Sequence, residues 1–572
     1  MYSIFIKMNS VQSFNPQQMP DVLKQNAGAS AIQLDVDTET ALIEPTSHRY
    51  DSSNGGRTTF IIPPKGVASM ADAALVWELV SSEADGDVAY SFYAGGLGAI
   101  ERCTLRSGGQ ILSQVDKVGL YATIKKMYND HDYKVGVLDA RHKSSNQVEH
   151  RVAPAKIATA SATDAFHQLY NPECDQVNTF GKSYQTGANA HSVQVSKTLS
   201  NTAGRGAECV VRLNEIFPIF NSRANLPVFA MASLELEVEW AQAGQTAPNG
   251  GTAANQTNSC LINASIPDNA AARTRLTTAT MAANPILMMD FIHYPEEQMN
   301  QIQAQIESSG IMIPFIEMVS TAGVNQESAT AVGGANDTFE KVESNHLLGM
   351  AGKEVEAIYV QKDFDIASGA GLAEIDGNYN QVYAHRNILT NQLKSQQIPG
   401  EEYNFIINNV RVYNQDVKNS ALQHHYVSQC EPRPFQCLDS AYSTAGYDVN
   451  KCKELLDSEW QNGAETGQTI DLGRSKPYLS GTMNVIGLNL KKYNVLAPTV
   501  GNGERIGSAP IQLRYSRVAI GAAAGAANSL RGAVKLNMFI EFKRTMLITP
   551  TGVVTSDAQA FLFILKISFI IK

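Results

Sequence analysis

Between residues 424 and 452, His424, His425, Cys430, Cys437 and Cys452 bring two imidazoles and three thiols into one stretch. Three thiolates and one imidazole could close a tetrahedral zinc site. The spacing argues the other way. Zinc modules bring their ligands in as close pairs, and neither C-x-x-C nor H-x-x-x-H occurs. Buried thiols beside loop histidines are the plainer reading. Asp130, His131 and Asp132 could hold an oriented imidazole for general base work, but they fall at an expected helix end, where a solvated turn explains them. Asp290, Glu296 and Glu297 could form a carboxylate cluster. Acids in the first turn of a helix favour that end of the dipole, which accounts for Glu296 and Glu297 without chemistry.

The remaining motif tests fail. No phosphate loop G-x-x-x-x-G-K-[ST] and no G-x-S-x-G elbow occurs. Gly501, Gly503 and Gly507 miss the dinucleotide-binding spacing by one residue and lie among expected strands. The N-x-[ST] sites at Asn255, Asn263 and Asn336 are expected by chance in a chain rich in Asn and Thr. The sequence therefore predicts no catalytic residue, no metal and no cofactor.

The elements around these residues are mostly strands. Leu234, Leu236, Val238 and Trp240 alternate with Glu235, Glu237 and Glu239, the pattern of a strand with one buried and one wet face. Val534, Leu536, Met538, Ile540 and Phe542 alternate in the same way with Lys535, Asn537, Glu541 and Lys543. Val355, Ala357 and Tyr359 alternate with Glu354, Glu356 and Ile358. Further strands are expected over 58–62, 74–80, 88–93, 209–217, 403–413 and 483–490, separated by Gly and Asn turns. Helices are expected over 114–129, 294–308 and 448–460, the second with Pro295 in its first turn.

Composition bounds the partners. The chain of 572 residues is 44% hydrophobic, enough for sizeable cores, but only 17% charged. Its net charge of −10 lacks the basic field of a protein that tracks nucleic acid. No apolar run is long enough for a membrane-spanning helix. The first seven residues, MYSIFIK, do not read as a secretory signal. Seven cysteines at scattered positions argue against a disulfide framework and for assembly in a reducing compartment. Low charge with many amides and hydroxyls suits a protein that packs against its own copies. A small, polar stretch at 241–258 divides the chain, leaving each half long enough for an eight-stranded sandwich.

Four segments resemble the double-jelly-roll major capsid proteins of virophages and polinton-like viruses, and more distantly adenovirus hexon and giant-virus capsid proteins. They are 100–128 (IERCTLRSGGQILSQVDKVGLYATIKKMY), 212–240 (RLNEIFPIFNSRANLPVFAMASLELEVEW), 398–413 (IPGEEYNFIINNVRVY) and 487–511 (GLNLKKYNVLAPTVGNGERIGSAPI). The resemblance implies an all-β fold of two eight-stranded jelly rolls side by side, with few helices and long loops. It implies an N-terminal arm (1–50), a first roll (51–245), a linker (246–282), a second roll (283–550) and a C-terminal arm (551–572).

The function it implies is structural. Homotrimers with pseudo-hexagonal outline would build an icosahedral shell around double-stranded DNA. The implied partners are further copies of the chain, minor capsid and penton proteins, and an internal membrane at the capsomer base, without sequence-specific binding to nucleic acid. The polar stretches 143–201, 241–269, 321–343 and 367–397 are expected as tower or clasp loops. The apolar end, 561–572 (FLFILKISFIIK), is expected as an arm docked beneath the capsomer. Two other readings stay open: a spike or penton, and a β-sandwich enzyme that processes glycans. The enzyme needs paired acids near aromatic platforms, whereas Trp77, Trp240 and Trp460 each read as core.

Overall fold

Strands dominate the structure, a computed structural model that describes residues 36–51, 55–81, 88–90, 99–126, 197–198, 207–221, 225–241, 261–263, 279–325, 338–364, 401–418, 420–430, 485–491, 503–521 and 534–557. They form two units. The first holds β1 (Asp37–Ile43), β2 (Ser47–Asp51), β3 (Gly55–Ile62), β4 (Val67–Ser81), β5 (Val88–Tyr90), β6 (Ile100–Ser107) and β7 (Gln110–Asp116). Helix α1 (Val118–Lys126) follows, then β8 (Lys197–Thr198), β9 (Ala207–Arg212), the single turn α2 (Leu213–Ile216) and β10 (Leu234–Trp240). β11 (Leu261–Asn263), β12 (Ala279–Met281) and β13 (Ile286–His293) complete it.

Helix α3 (Glu296–Ser308) leads to the second unit. That unit runs β14 (Ile311–Asn325), β15 (Thr338–Leu348), β16 (Glu354–Phe364), β17 (Glu402–Ile407), β18 (Val410–Arg411), helix α4 (Ser420–Ser428) and β19 (Val485–Asn489). It ends with β20 (Glu504–Arg505), β21 (Ile511–Gly521), β22 (Val534–Thr549) and β23 (Gly552–Asp557).

The two units share one topology. In the first, β1-β13-β4-β9 face β3-β10-β6-β7; in the second, β14-β22-β16-β19 face β15-β21-β17-β18. Numbering the eight principal strands of each unit in chain order, both sandwiches read 1-8-3-6 over 2-7-4-5, which is the jelly-roll order. All these pairs are antiparallel. Connections 1–2, 3–4, 5–6 and 7–8 therefore leave one end of the sandwich, and 2–3, 4–5 and 6–7 leave the other.

The second kind is short where the strands meet in tight turns. β6 and β7 are joined by Gly108 and Gly109, both at positive φ. β17 and β18 are joined by Asn408 and Asn409, at φ 51° and 65°, the backbone of a two-residue hairpin turn. All four long polar stretches, 143–201, 241–269, 321–343 and 367–397, fall at connections of the first kind.

The strand pairings revise several sequence expectations. β1 and all but the last residue of β2 lie within 1–50, expected as an arm, yet both strands pair into the first sandwich. β13 lies beyond the expected linker, yet it fills the slot between β1 and β4. The stretch 246–282 thus belongs to the connection between the seventh and eighth strands of the first unit, and the passage between units is α3. β23, expected within the C-terminal arm, pairs with β22. The helix expected from 114 begins at Val118, because 114–116 still pair with β6 and Lys117 turns at φ 53°. The strand expected over 209–217 ends at Arg212 and tightens into α2. The loop expected over 321–343 is entered by β14 and β15. The helix expected over 448–460 and both chain ends, 1–7 and 561–572, lie outside the described residues.

Each sandwich is filled from the inner faces of its two sheets. Phe60, Leu75, Trp77, Leu105, Leu236, Val238, Trp240 and Phe291 pack in the first. Ile358, Val360, Phe405, Leu513, Tyr515, Met538 and Ile540 pack in the second. Trp77 and Trp240 meet edge to face with ring centroids 5.5 Å apart. The glutamate face of β10 is less wet than its alternation suggests. Glu237 is buried and held between Arg57 on β3 and Arg106 on β6.

Candidate functional site between the two sandwiches

The polar row of β22 does not face water. Asn537, Glu541, Lys543 and Thr545 are all buried, while Leu536, Met538, Ile540 and Phe542 fill the second core from the opposite face. Over Asn537, Phe539 and Glu541 the cover is the first unit. Tyr121 on α1 packs against Phe539, centroids 5.8 Å apart, and its hydroxyl donates to Glu541. Lys117 Nζ donates to Asn537 Oδ1 at 2.8 Å, and Asn537 Nδ2 donates onward to Gln361 Oε1 on β16 at 2.7 Å. These are hydrogen bonds between groups removed from water together, which is how a buried polar seam avoids the cost of desolvation.

Nearer the short-turn end, Glu317 on β14 is 3% exposed. Ser113 Oγ donates to its Oε1 at 2.9 Å, and the Gln114 backbone N–H does so at 3.3 Å. Arg544 Nη1 donates to Glu317 Oε2 at 3.4 Å and to the Leu112 carbonyl at 3.3 Å. Burial pushes the Glu317 carboxyl up to about 7, against the opposing pull of Ser113, Arg544 and the Gln114 amide. Ile311, Ile313, Phe315, Met546 and Ile548 join the first unit's core cluster beside the 3-10 turn Pro218–Asn221.

The contacts also orient the units. Along β7 and into the turn after it, Leu112, Ser113 and Lys117 meet Arg544, Glu317 and Asn537 in turn. Arg544 and Asn537 pair with Phe315 and Ala322, so these levels run from 315 through 317 to 322 on β14. β7 and β14 therefore run in the same sense. Both sandwiches present their long connections at the same end.

The seam clasps the two units, its carboxylates Glu317 and Glu541 each accepting from donors of the other unit. Among the described residues, those singled out in the sequence do not gather. His425 lies exposed on α4, with Nε2 2.9 Å from Gln429 Nε2. Cys430 is buried beyond the end of that helix and its thiol donates to the Tyr426 carbonyl at 3.4 Å. Cys437, Cys452, the 130–132 triplet, Asn255, Asn336 and Trp460 lie outside the described residues. Asp290 sits on β13 and accepts from Thr40 Oγ1 at 2.6 Å, whereas Glu296 and Glu297 occupy the first turn of α3. Among the described residues no three His, Cys, Asp or Glu side chains could share a metal ion, and no helix is long and apolar enough to cross a membrane.

Sequence reasoning missed the seam residues Ser113, Lys117, Tyr121, Glu317, Asn537, Glu541 and Arg544. One signal was present. Phe539 stands in the polar row of β22, where a wet face would not place a phenyl ring.

The sequence matches no protein-family model and no curated protein. Among solved structures, the chain is similar to the PBCV-1 protein VP54 fitted into a cryo-EM reconstruction of the virophage Sputnik, at 9% identity and TM-score 0.46, over 93% of this chain and 99% of that one. It is similar to the Faustovirus major capsid protein, at 10% identity and TM-score 0.45, over 91% of this chain and 92% of that one. The mavirus major capsid protein is a third, at 10% identity and TM-score 0.39, with 90% of each chain covered.

Proposed function

We propose that the chain is a major capsid protein whose homotrimers, pseudo-hexagonal in outline, tile an icosahedral shell around a double-stranded DNA genome. One observation carries the reading: a single chain holds two sandwiches of identical strand order, clasped side by side with their long connections at the same end. Two like units per chain give six like positions in a closed ring of three copies. A clasped pair is the form in which that ring stays flat enough to tile. The long connections would face outward as towers and interlock between neighbours, where amides and hydroxyls bond without the desolvation cost of charges.

On this reading the short-turn end faces inward. It meets minor capsid and penton proteins or an internal membrane, and the apolar end 561–572 serves there as an arm. The role is structural, with no catalysis, no metal and no sequence-specific contact with nucleic acid. The chain works in the virion after synthesis in a reducing compartment, in keeping with Cys103 as a free, buried thiol.

Light scattering and negative-stain imaging of the purified full chain test the reading. The expected result is a particle three times the 62.0 kDa chain mass with a six-lobed outline. A protein that is only monomeric at micromolar concentration overturns it.

A further inference from the structure

The two sandwiches are alike, but their helices after the fifth strand are not equally covered. In the first unit Val118, Leu120, Tyr121, Ala122 and Ile124 of α1 are all buried, because α1 lies between the first unit and the outer face of the second unit's β14-β22-β16-β19 sheet. In the second unit, among the described residues, α4 is held to its own sandwich through one side. Gln423 donates to Glu401 at 2.9 Å, Val427 sits against Gly487, and the Cys430 carbonyl beyond the helix accepts from Tyr359. On its other side Leu422 is 45% exposed and His425 is exposed.

The outer sheet faces differ in the complementary way. That of the second unit is covered by α1. On the first unit, Leu42 of β1 is 66% exposed and pairs with Met288 of β13. Beside them Ile286 pairs with Val76, and Val76 with Val210. These four are partly exposed, since Leu75, Trp77, Cys209, Val211, Leu287 and Met289 take the inner face of the same strands. An apolar row thus crosses the outer face of four strands, at the place where the second unit receives a helix.

We infer that copies of this chain join head to tail, the Leu422 side of α4 on one copy packing on the Leu42–Met288 row of the next. The contact repeats between chains what the α1 seam does within one. It deepens the trimer reading and rests on it. An interface between two different surfaces closes into a ring when its rotation permits and otherwise propagates. The internal seam joins two units of the same fold in the same sense, which is the kind of step a ring repeats. The occupant of the row is therefore a second copy, with the Leu422 side of its helix as the partner.

Two variants at exposed positions test this, Leu42→Asp and Leu422→Asp, each checked for an unchanged circular dichroism spectrum. Size-exclusion chromatography with light scattering is expected to give trimers for the unaltered chain and monomers for each variant. Mixed in equal amounts, the variants are expected to form a one-to-one dimer, because each contributes the face that the other lacks. Variants that stay trimeric overturn the inference while leaving the trimer reading in place. A mixture that stays monomeric also overturns it. An unaltered chain that is itself monomeric overturns the trimer reading and this contact together.

Discussion

Ser113 and Glu317 belong to different sandwiches and share one buried hydrogen bond of 2.9 Å, closing 204 residues of chain. Neither side chain has a reason to be buried within its own unit. Each is buried because the other unit lies against it, so the pair reports on the seam rather than on either core.

That burial makes the seam sensitive to pH. The Glu317 carboxyl is pushed up from 4.5 to about 7 in the folded chain, so the folded state holds its proton more tightly than the unfolded state. The resulting stability is fully present below pH 4.5 and is lost as pH rises through about 7. Glu317→Gln is expected to flatten this dependence and to raise the melting temperature at pH 8, by an effect of no more than about 3 kcal/mol. Thermal melts of both proteins between pH 5 and 8 measure it, and parallel pH profiles would count against the assignment.

Trp240 anchors the first core. Its Nε1 donates to Thr58 Oγ1 at 2.8 Å, and the Thr58 hydroxyl is 2.8 Å from His48 Nδ1. Trp240→Ala is expected to cost about 3–5 kcal/mol by opening a cavity. An unchanged unfolding midpoint in denaturant would refute it.

Gly487 lets α4 lie flat on β19. A Cβ there would meet the Val427 Cα at 2.5 Å and Cys430 Sγ at 3.0 Å. The first is backbone, so the helix must lift. Gly487→Ala is expected to destabilise by about 1–3 kcal/mol through overpacking. Amide exchange should quicken through α4 more than through the sheet interior, and uniform protection would show that the helix is not the part displaced.

The hairpin at Asn408 and Asn409 separates two roles. Both take positive φ, but Asn408 Oδ1 also accepts from the Gly507 N–H at 2.7 Å. Asn409→Gly is expected to be neutral or slightly stabilising, since glycine adopts that backbone freely. Asn408→Gly is expected to lose about 1 kcal/mol for the missing bond. Melting curves that rank the two variants the other way would contradict this division.

Much of the fold was legible in the chain alone, because strand periodicity and turn chemistry act over a few residues. The alternation at 234–240 and from 534, the Gly-Gly turn at 108–109 and Pro295 before α3 each mark an element locally, whereas the stretch 403–413, read as one strand, is folded back on itself at Asn408 and Asn409. Low charge and failed motif spacings likewise set the expectation of a structural role without coordinates. Sheet membership was different. Nothing near Ile286–His293 says that it fills a slot between β1 and β4, since a partner 250 residues away leaves no local mark. The same holds for the seam. Asn537, Glu541 and Lys543 alternate as a solvent face does, and period two states only that two faces differ. Whether the polar face meets water or a second sandwich is decided by what stands opposite, and only the tertiary structure puts Lys117 and Tyr121 there.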